Sequence, residues 1–218
     1  GAPSLAQPTA LAVVTAAGLF TLFGYVNARR VARIVRVEVP LAGLPPELEG
    51  FTIVQLSDIH VGPTIKRDYV QAIVDRVNGL EADLLAATGD VVDGSVEHLR
   101  EHTAPLGQLR SRHGSYFVTG NHEYYSGAGA WMAEFERIGL KGLHNGHTVI
   151  ARNGARLVLA GVTDYSAGAF DAAQASDPAA ALAGSPAGLT RILLAHQPRS
   201  APAAAAAGFD LQLSGHTH

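Results

Sequence analysis

The hydrophobic pattern of the chain changes regularly between strand-like and helix-like segments. Apolar runs of strand length are separated by stretches in which apolar residues return every three or four positions, as over 66–79, where an amphipathic helix is predicted. The same two patterns predict strands over 51–57, 83–89, 115–120, 191–195 and 209–214, and helices over 95–110, 131–138 and 201–207. Asn153-Gly154, between HTVIAR and ARLVLAGV, is the strongest kind of short-range hairpin pattern. Strands that alternate with helices and end in a hairpin predict an α/β sandwich of mixed sheets.

Three segments carry weaker patterns. Over 31–39 arginines alternate with Val and Ile, which predicts a strand. Pro105 predicts a kink or a restart within the helix over 95–110, because proline has no backbone N–H to donate. The Ala-rich stretch 171–188 predicts a helix that Pro178 and Pro186 interrupt.

The first thirty residues have a different character. From Thr9 to Val26, 18 consecutive residues carry no charge, which is near the lower limit for crossing a bilayer. No Lys or Arg precedes this run, whereas a signal peptide has its positive charge there. We therefore predict a membrane-anchor helix over 1–30 and a first strand and linker over 31–50, with a buried core helix or a cleaved signal as alternatives. The arginines after the run are Arg29, Arg30, Arg33 and Arg36. They favour a cytoplasmic domain, although charge at a strand edge explains them equally well.

Composition excludes several classes of protein. The chain of 218 residues is 47% hydrophobic, so it is not a disordered protein. Its net charge of −3 gives no basic surface for phosphate backbones, and no nucleic-acid partner is expected. The absence of cysteine excludes disulfides, thiolate zinc sites and Cys nucleophiles. Ten histidines remain as candidate metal ligands or acid–base groups.

Five polar motifs lie where predicted buried strands end, which is where open α/β sheets present ligand sites. They are Asp58-Ile59-His60, Gly89-Asp90-Val91-Val92-Asp93, Gly120-Asn121-His122-Glu123, His196 and Gly215-His216-Thr217-His218. One Asp-x-His motif alone would be weak, but five such groups at successive strand ends are not a chance arrangement. Their carboxylate, amide and imidazole ligands suit Mn, Fe or Zn.

In these motifs the sequence resembles the calcineurin-like metallophosphoesterases, whose signature is D-x-H, GD-x-x-D, GNH-D/E, a lone H and GH-x-H. The resemblance extends from about Phe51 to His218. The strings PLGQL (105–109), YFVTGNHEYY (116–125) and LLAHQP (193–198) resemble the membrane-bound branch of that family, which includes bacterial membrane phosphoesterases. Family members continue beyond GH-x-H, so we expect a catalytic domain over 51–218 that is incomplete at its C-terminus.

The resemblance implies an α/β/β/α sandwich, with two mixed sheets flanked by helices, and two divalent metal ions. By this resemblance one ion is held by Asp58, His60, Asp90 and His218. The other is held by Asp90, Asn121, His196 and His216, with Asp90 bridging the two. The implied reaction is metal-dependent hydrolysis of a phosphomonoester or phosphodiester. A metal-bridging hydroxide attacks in line, His122 is the general acid, and Asp93 orients His122.

Several residues keep a second interpretation. Asp93 could instead cap a helix through Gly94-Ser95. Glu123 is equally consistent with an ordinary exposed carboxylate and is left out of the predicted site. Five histidines are predicted to be incidental, namely His98, His102, His113, His144 and His147.

The predicted function is a membrane-anchored phosphoesterase whose substrate is lipid-linked or belongs to the cell envelope. One alternative is a nuclease or cyclic-nucleotide phosphodiesterase, which the net charge disfavours for long nucleic acids. The other is a non-catalytic membrane scaffold of the same fold, against which the intact His122 argues, since a scaffold needs no proton donor. The bilayer and a phosphoester are thus the expected partners, and the sequence indicates no oligomeric state.

Overall fold

The computed structural model describes residues 6–28 and 30–218, which group into two units, Gly1–Arg36 and Val37–His218. Residues 1–5 and Arg29, which the predicted anchor includes, lie outside the described residues. The first unit is built on helix α1 (Ala6–Ala28). Its span Pro8–Asn27 is apolar and long enough to cross a membrane, and none of that span is buried. The helix is a candidate membrane span on length and composition alone.

The strand predicted over 31–39 does not form. Residues 31–40 join no β-ladder of the described structure, and Val35 and Val37 are 79% and 74% exposed. Alternation of apolar and charged residues produces a strand only where a neighbouring strand pairs with its backbone, and no described strand does so here.

The first sheet is parallel in all its described strands, in the order β1 (Ile53–Leu56), β2 (Leu84–Thr88), β3 (Ser115–Val118) and β4 (Lys141–Gly142). Its connections contain helices α2 (Arg67–Asn78), α3 (Val96–Thr103), α4 (Asn121–Tyr125) and α5 (Ala128–Arg137). A 3-10 turn over Ala104–Gln108, with Pro105 as its second residue, follows α3. The predicted restart at Pro105 is therefore confirmed. Because the strands are parallel, all their carboxyl ends lie at one edge of the sheet.

The second sheet is mixed, in the order β5 (Gly146–Arg152), β6 (Ala155–Gly161), β7 (Thr190–Leu194) and β8 (Leu211–Leu213). β5 and β6 form the predicted antiparallel hairpin, and Asn153 and Gly154 at its turn have φ values of 52° and 89°. β6, β7 and β8 are parallel to one another. The carboxyl ends of these three strands therefore also lie at a single edge of their sheet.

The two sheets stack face to face, which confirms the predicted sandwich. Leu84, Ala86 and Val118 of the first sheet share one buried cluster with Leu159 and Leu194 of the second. On the outer face of the first sheet, the ring of Phe117 packs 5.3 Å from that of Phe135 in α5. On the outer face of the second sheet the buried residues are mostly alanines: Ala160, Val162, Ala181, Leu193, Ala195 and Ala204.

The helices that flank the second sheet are short. α7 occupies Ala201–Ala207 as predicted and ends at Gly208, whose φ of 89° suits glycine. The helix predicted over 171–188 is instead a 3-10 turn (Ala172–Gln174) and α6 (Pro178–Ala181). Pro178 begins α6 rather than interrupting a helix, because proline at the first position lacks only an N–H that has no helical partner. The Asp177 carboxylate accepts from the N–H groups of Ala179 and Ala180, at 2.9 Å each.

Candidate metal centre

The segments that follow β1, β2, β3, β7 and β8 meet at one edge of the sandwich. They carry all nine predicted site residues, two of which, Asn121 and His122, begin α4. Backbone hydrogen bonds join these segments. The N–H of Asp58 donates to the Gly89 carbonyl at 3.1 Å, and the N–H of Gly215 donates to the His196 carbonyl at 2.9 Å. The N–H of His216 donates to both carboxylate oxygens of Asp58, at 3.1 Å each. The centre is therefore built across both sheets.

Four of the seven predicted metal ligands have a left-handed backbone. Asp58, His60, Asp90 and His216 have φ values of 54°, 52°, 50° and 73°. A residue with a side chain loses about 1 kcal/mol or more in this region, so surrounding contacts must impose it. Clusters of such residues are typical of functional sites.

The glycines of the motifs allow these loops to approach each other. A Cβ atom on Gly89 would lie 2.5 Å from the Gly120 nitrogen and 2.8 Å from Nδ1 of His196. A Cβ atom on Gly120 would overlap the Asp90 carboxylate, and one on Gly215 would overlap the side chain of Asp58. Each of these glycines is therefore required by close packing against a predicted ligand.

Asp58, His60 and His218 form the first group of ligand atoms, all within 4.8 Å of one another. Nε2 of His218 lies 3.9 Å from Oδ1 of Asp58. Nδ1 of His60 is hydrogen-bonded to Oδ1 of Asp93 at 3.0 Å, and its buried Nε2 has no hydrogen-bond partner. A buried nitrogen without a partner is costly unless something binds it, and a metal ion fits that requirement.

Asp90, His196 and His216 form the second group. Nε2 of His196 lies 3.1 Å from Oδ2 of Asp90 and 3.2 Å from Nδ1 of His216. Nδ1 of His196 donates to the Thr88 carbonyl at 2.8 Å, which directs its Nε2 at this group. Burial opposes charging of both Asp90 and His196, but their mutual contact, together with the backbone hydrogen bonds from His122 to Asp90 and from His196 to Thr88, outweighs it. The pKa of Asp90 is therefore lowered and that of His196 raised.

Asn121 offers a further oxygen donor. It is the first residue of α4, and its buried Oδ1 has no hydrogen-bond partner. The next residue, His122, donates its backbone N–H to Oδ1 of Asp90 at 2.9 Å, which holds the start of α4 against that carboxylate. The nitrogen and oxygen donors of the two groups, and their two unpartnered atoms, fit divalent cations.

Asp93 joins His60 to His122. Its Oδ1 lies 3.0 Å from Nδ1 of His60 and 2.6 Å from Nδ1 of His122. The rings of the two histidines meet edge to face, 4.6 Å apart. Asp93 is not the cap of α3, because the cap position, directly before the first helical residue, is occupied by Ser95. These three side chains also have the spacing of a metal site, but both Nδ1 atoms already contact the carboxylate.

Glu123 is the functional residue that the sequence analysis missed. It is 1% exposed, so the interpretation as an exposed carboxylate is wrong. Its Oε2 accepts from the N–H groups of Gly120 at 2.7 Å and Asp90 at 2.9 Å. Its Oε1 accepts from Val91 at 2.7 Å and Val92 at 3.3 Å. The carboxylate therefore holds the loop after β2 against the loop after β3.

Burial, reinforced by the nearby Asp90 charge, raises the pKa of Glu123 in spite of these four N–H donors. A sequence signal for this role did exist. Glu123 is the third residue of α4 and its side chain returns to the N–H of Gly120, just before the helix, which is the spacing of a capping box.

The other five histidines belong to no candidate metal-ligand group of the described residues. Nδ1 of His98 pairs with Oγ of Ser95, His113 stacks on Phe51, and Nδ1 of His147 donates to the Ala181 carbonyl. Burial lowers the pKa of His144, whose ring packs edge to face on Phe117. His102 lies in α3.

Comparison with known proteins identifies the family of the chain. The family model of the calcineurin-like phosphoesterases matches residues 51–218. The chain is 42% identical to the Bos taurus protein named transmembrane protein with metallophosphoesterase domain, over 98% of this chain and 50% of that protein. The Danio rerio protein of the same name is 40% identical, over 97% and 50%. An uncharacterised metallophosphoesterase of Helicobacter pylori is 36% identical, over 85% and 48%. The chain thus spans about half the length of these relatives.

Among solved structures, the Haemophilus influenzae NAD nucleotidase matches with a TM-score of 0.52 and 17% identity, over 77% of this chain and 38% of that one. GAP50, described as the anchor in the inner membrane complex of Plasmodium, matches with a TM-score of 0.51 and 13% identity, over 76% and 65%. At these identities the likeness shows the fold alone. The chain belongs to the calcineurin-like phosphoesterases, a family that depends on divalent metal ions.

Proposed function

We propose that this chain is the catalytic part of a membrane-anchored phosphoesterase that uses two divalent metal ions to hydrolyse a phosphomonoester or phosphodiester. The observation that carries the proposal is the presence of two ligand groups at one edge of the sandwich, Asp58–His60–His218 and Asp90–His196–His216, each of which combines carboxylate and imidazole donors. Membership in the family supports the reaction class. The apolar helix α1 and the names of the relatives support the anchor.

In this proposal Asp90 would help to hold both ions. The first ion would also be held by Asp58, His60 and His218, and the second by Asn121, His196 and His216. The unpartnered Nε2 of His60 and Oδ1 of Asn121 support this division, because each group then gains the buried atom that lacks a partner. Two divalent ions supply Lewis acidity to the phosphoryl oxygens and to a nucleophilic water. Mn, Fe or Zn all suit these donors.

The proton donor in this proposal is His122. Its Nδ1 is fixed by Asp93 at 2.6 Å, and its Nε2 lies 3.9 Å from Oδ2 of Asp90. Its side chain is 36% exposed, so a substrate can reach the ring. As a hydroxide oxygen bonds to phosphorus and the bond to the leaving oxygen breaks, Nε2–H of His122 gives its proton to the leaving oxygen, which departs as the alcohol. The Asp93 carboxylate stabilises the charged ring before that transfer.

The anchor would place the site near a membrane surface, so the proposed substrate is a lipid-linked or cell-envelope phosphoester. The arginines that follow α1 favour a cytoplasmic catalytic domain. Protease treatment of intact cells tests the orientation, since a cytoplasmic domain is spared. Rapid digestion of the domain would place it on the outer face.

The enzymatic proposal is tested on the 218-residue chain, purified in detergent and stripped of metal. Turnover of an aryl phosphomonoester and an aryl phosphodiester should appear on addition of Mn²⁺. His122→Ala should lower it by roughly 10²-fold or more, as expected for loss of a general acid. Asp90→Asn should abolish the turnover that depends on Mn²⁺. His98→Ala is the matched control and should leave turnover unchanged. Absence of metal-dependent turnover would favour a scaffold.

A further inference from the structure

Two exposed aromatic rings lie beside the proposed proton donor. The Tyr125 ring is centred 5.4 Å from the His122 ring, and the Phe170 ring is 5.7 Å from that of Tyr125. Tyr125 is 65% exposed and Phe170 is 52% exposed. We call Tyr125 and Phe170 the aromatic pair. Isolated exposed apolar residues need no explanation, but two adjoining rings next to a reactive histidine suggest a binding surface.

The aromatic pair is held in place from below. The Phe170 ring packs 5.4 Å from the ring of the buried Tyr124, whose hydroxyl donates to Oε1 of Gln174 at 2.9 Å. The backbone N–H of Phe170 donates to the carbonyl of Ala167 at 3.0 Å, and Ala167 is fully buried. A surface fixed in this way needs little ordering when a ligand binds.

We propose that the aromatic pair binds the leaving alcohol of the substrate, and that this alcohol carries a planar ring close to its ester oxygen. The inference rests on the proposed role of His122, because the leaving oxygen must then lie at that ring. Tyr125 contacts His122 directly, so the part of the alcohol that meets Tyr125 is within a few bonds of the oxygen. Aromatic rings attract other rings at separations of about 4.5–7 Å, as the three protein rings already do.

The composition of the exposed apolar surface favours a ring over an acyl chain. Among the described residues from 40 onward, the large exposed apolar side chains are Tyr125, Tyr165, Phe170 and Val149. A bilayer or an acyl chain is usually met by a wider surface that includes aliphatic side chains. Two rings match one planar group. The other ester position of a diester stays available to a lipid-linked group.

The test compares two leaving alcohols of similar size and acidity, one planar and one not, with a small alcohol as the reference. Benzyl, cyclohexylmethyl and ethyl phosphates, each as the monoester and as the symmetric diester, are hydrolysed by the full chain in detergent with Mn²⁺. The value of kcat/KM for the benzyl ester should exceed that for the cyclohexylmethyl ester by roughly two- to tenfold. Tyr125→Ala and Phe170→Ala should each remove most of that ratio, and Tyr125→Phe should keep it.

Tyr165→Ala is the matched control. Tyr165 is 51% exposed and packs under Arg199, and no described ring contact joins it to His122 or the aromatic pair. The ratio should therefore survive this change. A second measurement does not need turnover: saturation transfer from the protein to the phenyl protons of benzylphosphonate should weaken in Tyr125→Ala.

The possible outcomes separate the two proposals. Metal-dependent hydrolysis of all three esters without a benzyl preference would overturn the aromatic pair alone. Hydrolysis of none of them would overturn the enzymatic proposal and the aromatic pair with it. A third outcome would assign the rings to the membrane instead. In that case phospholipid vesicles raise turnover, Tyr125→Ala removes the rise, and no ester shows a benzyl preference. Comparing adenosine 5′-monophosphate with ribose 5-phosphate then shows whether the ring is a nucleobase.

Discussion

Removal of the Glu123 carboxylate should destabilise the centre more than any exposed substitution. Glu123→Ala leaves the N–H groups of Gly120, Asp90, Val91 and Val92 without their acceptor. Each buried unsatisfied donor costs about 1–3 kcal/mol, and water that enters the space left by the side chain offsets part of it. We therefore expect a loss of about 3–6 kcal/mol in the free energy of unfolding.

Glu123→Gln is the sharper variant, because it keeps the size of the side chain. Its amide oxygen can accept from one pair of N–H groups, but its NH₂ group then faces the other pair. About half of the loss, roughly 2–3 kcal/mol, should remain. Glu97→Gln, an exposed carboxylate in α3, is the matched control and should change stability by less than about 0.5 kcal/mol.

Urea unfolding of the metal-free protein measures both variants, and Mn²⁺ affinity provides a second readout. Since Glu123 holds the backbone of Asp90, we expect Mn²⁺ to bind more weakly to Glu123→Gln. A Glu123→Gln protein with the stability and the Mn²⁺ affinity of the unchanged chain would refute the reasoning. It would mean that the carboxyl group is protonated and that its N–H contacts contribute little.

Three further predictions concern His144, Asp93 and Gly154. His144 is half-buried, and burial lowers its pKa below the ordinary value of about 6.5. The unfolded state therefore gains a proton at a higher pH than the folded state, and the free energy of unfolding falls as pH drops below about 6.5. His144→Leu should flatten that part of the unfolding profile, and an unchanged slope would contradict the burial argument. Asp93→Asn should both lower kcat by about tenfold or more and weaken Mn²⁺ binding, because Asp93 contacts His122 and His60. A change in kcat alone, or in Mn²⁺ affinity alone, would show that only one of these contacts is functional. Gly154→Ala should lower the free energy of unfolding by about 1 kcal/mol, because φ is 89° there, and a thermal melt without a shift would argue against the turn geometry.

The parts of the fold that the sequence predicts are those with strong local signals. Asn153-Gly154 predicts its hairpin, because few other residues adopt two consecutive positive φ values. The helix Ala201–Ala207 is bounded as predicted, since Pro202 and Gly208 mark its start and its end. The position of each motif at the end of a predicted strand indicates that the candidate ligands lie together, because the carboxyl ends of parallel strands lie at one edge of a sheet.

The errors occur where tertiary context decides. The segment 31–39 has the alternation of a strand but no strand beside it among the described residues. Pro178 was expected to break a helix, yet Asp177 caps the helix that it begins. Glu123 kept an exposed carboxylate as an equal alternative, because three of its four N–H partners lie about thirty residues away in sequence, in the loop after β2. Local patterns do not report such partners.

The contact between Asp58 and His216 has a consequence for how the centre forms. These residues are separated by 158 positions, and a neighbouring contact, from Gln55 to the Ser214 carbonyl, spans 159. Closing contacts of such long range is slow and depends on both sheets being in place. The metal centre is therefore expected to mature late in folding. Binding of Mn²⁺ would then report the fraction of molecules in which the final strand, β8, has docked, and a folding intermediate that lacks this contact would be silent in the same assay.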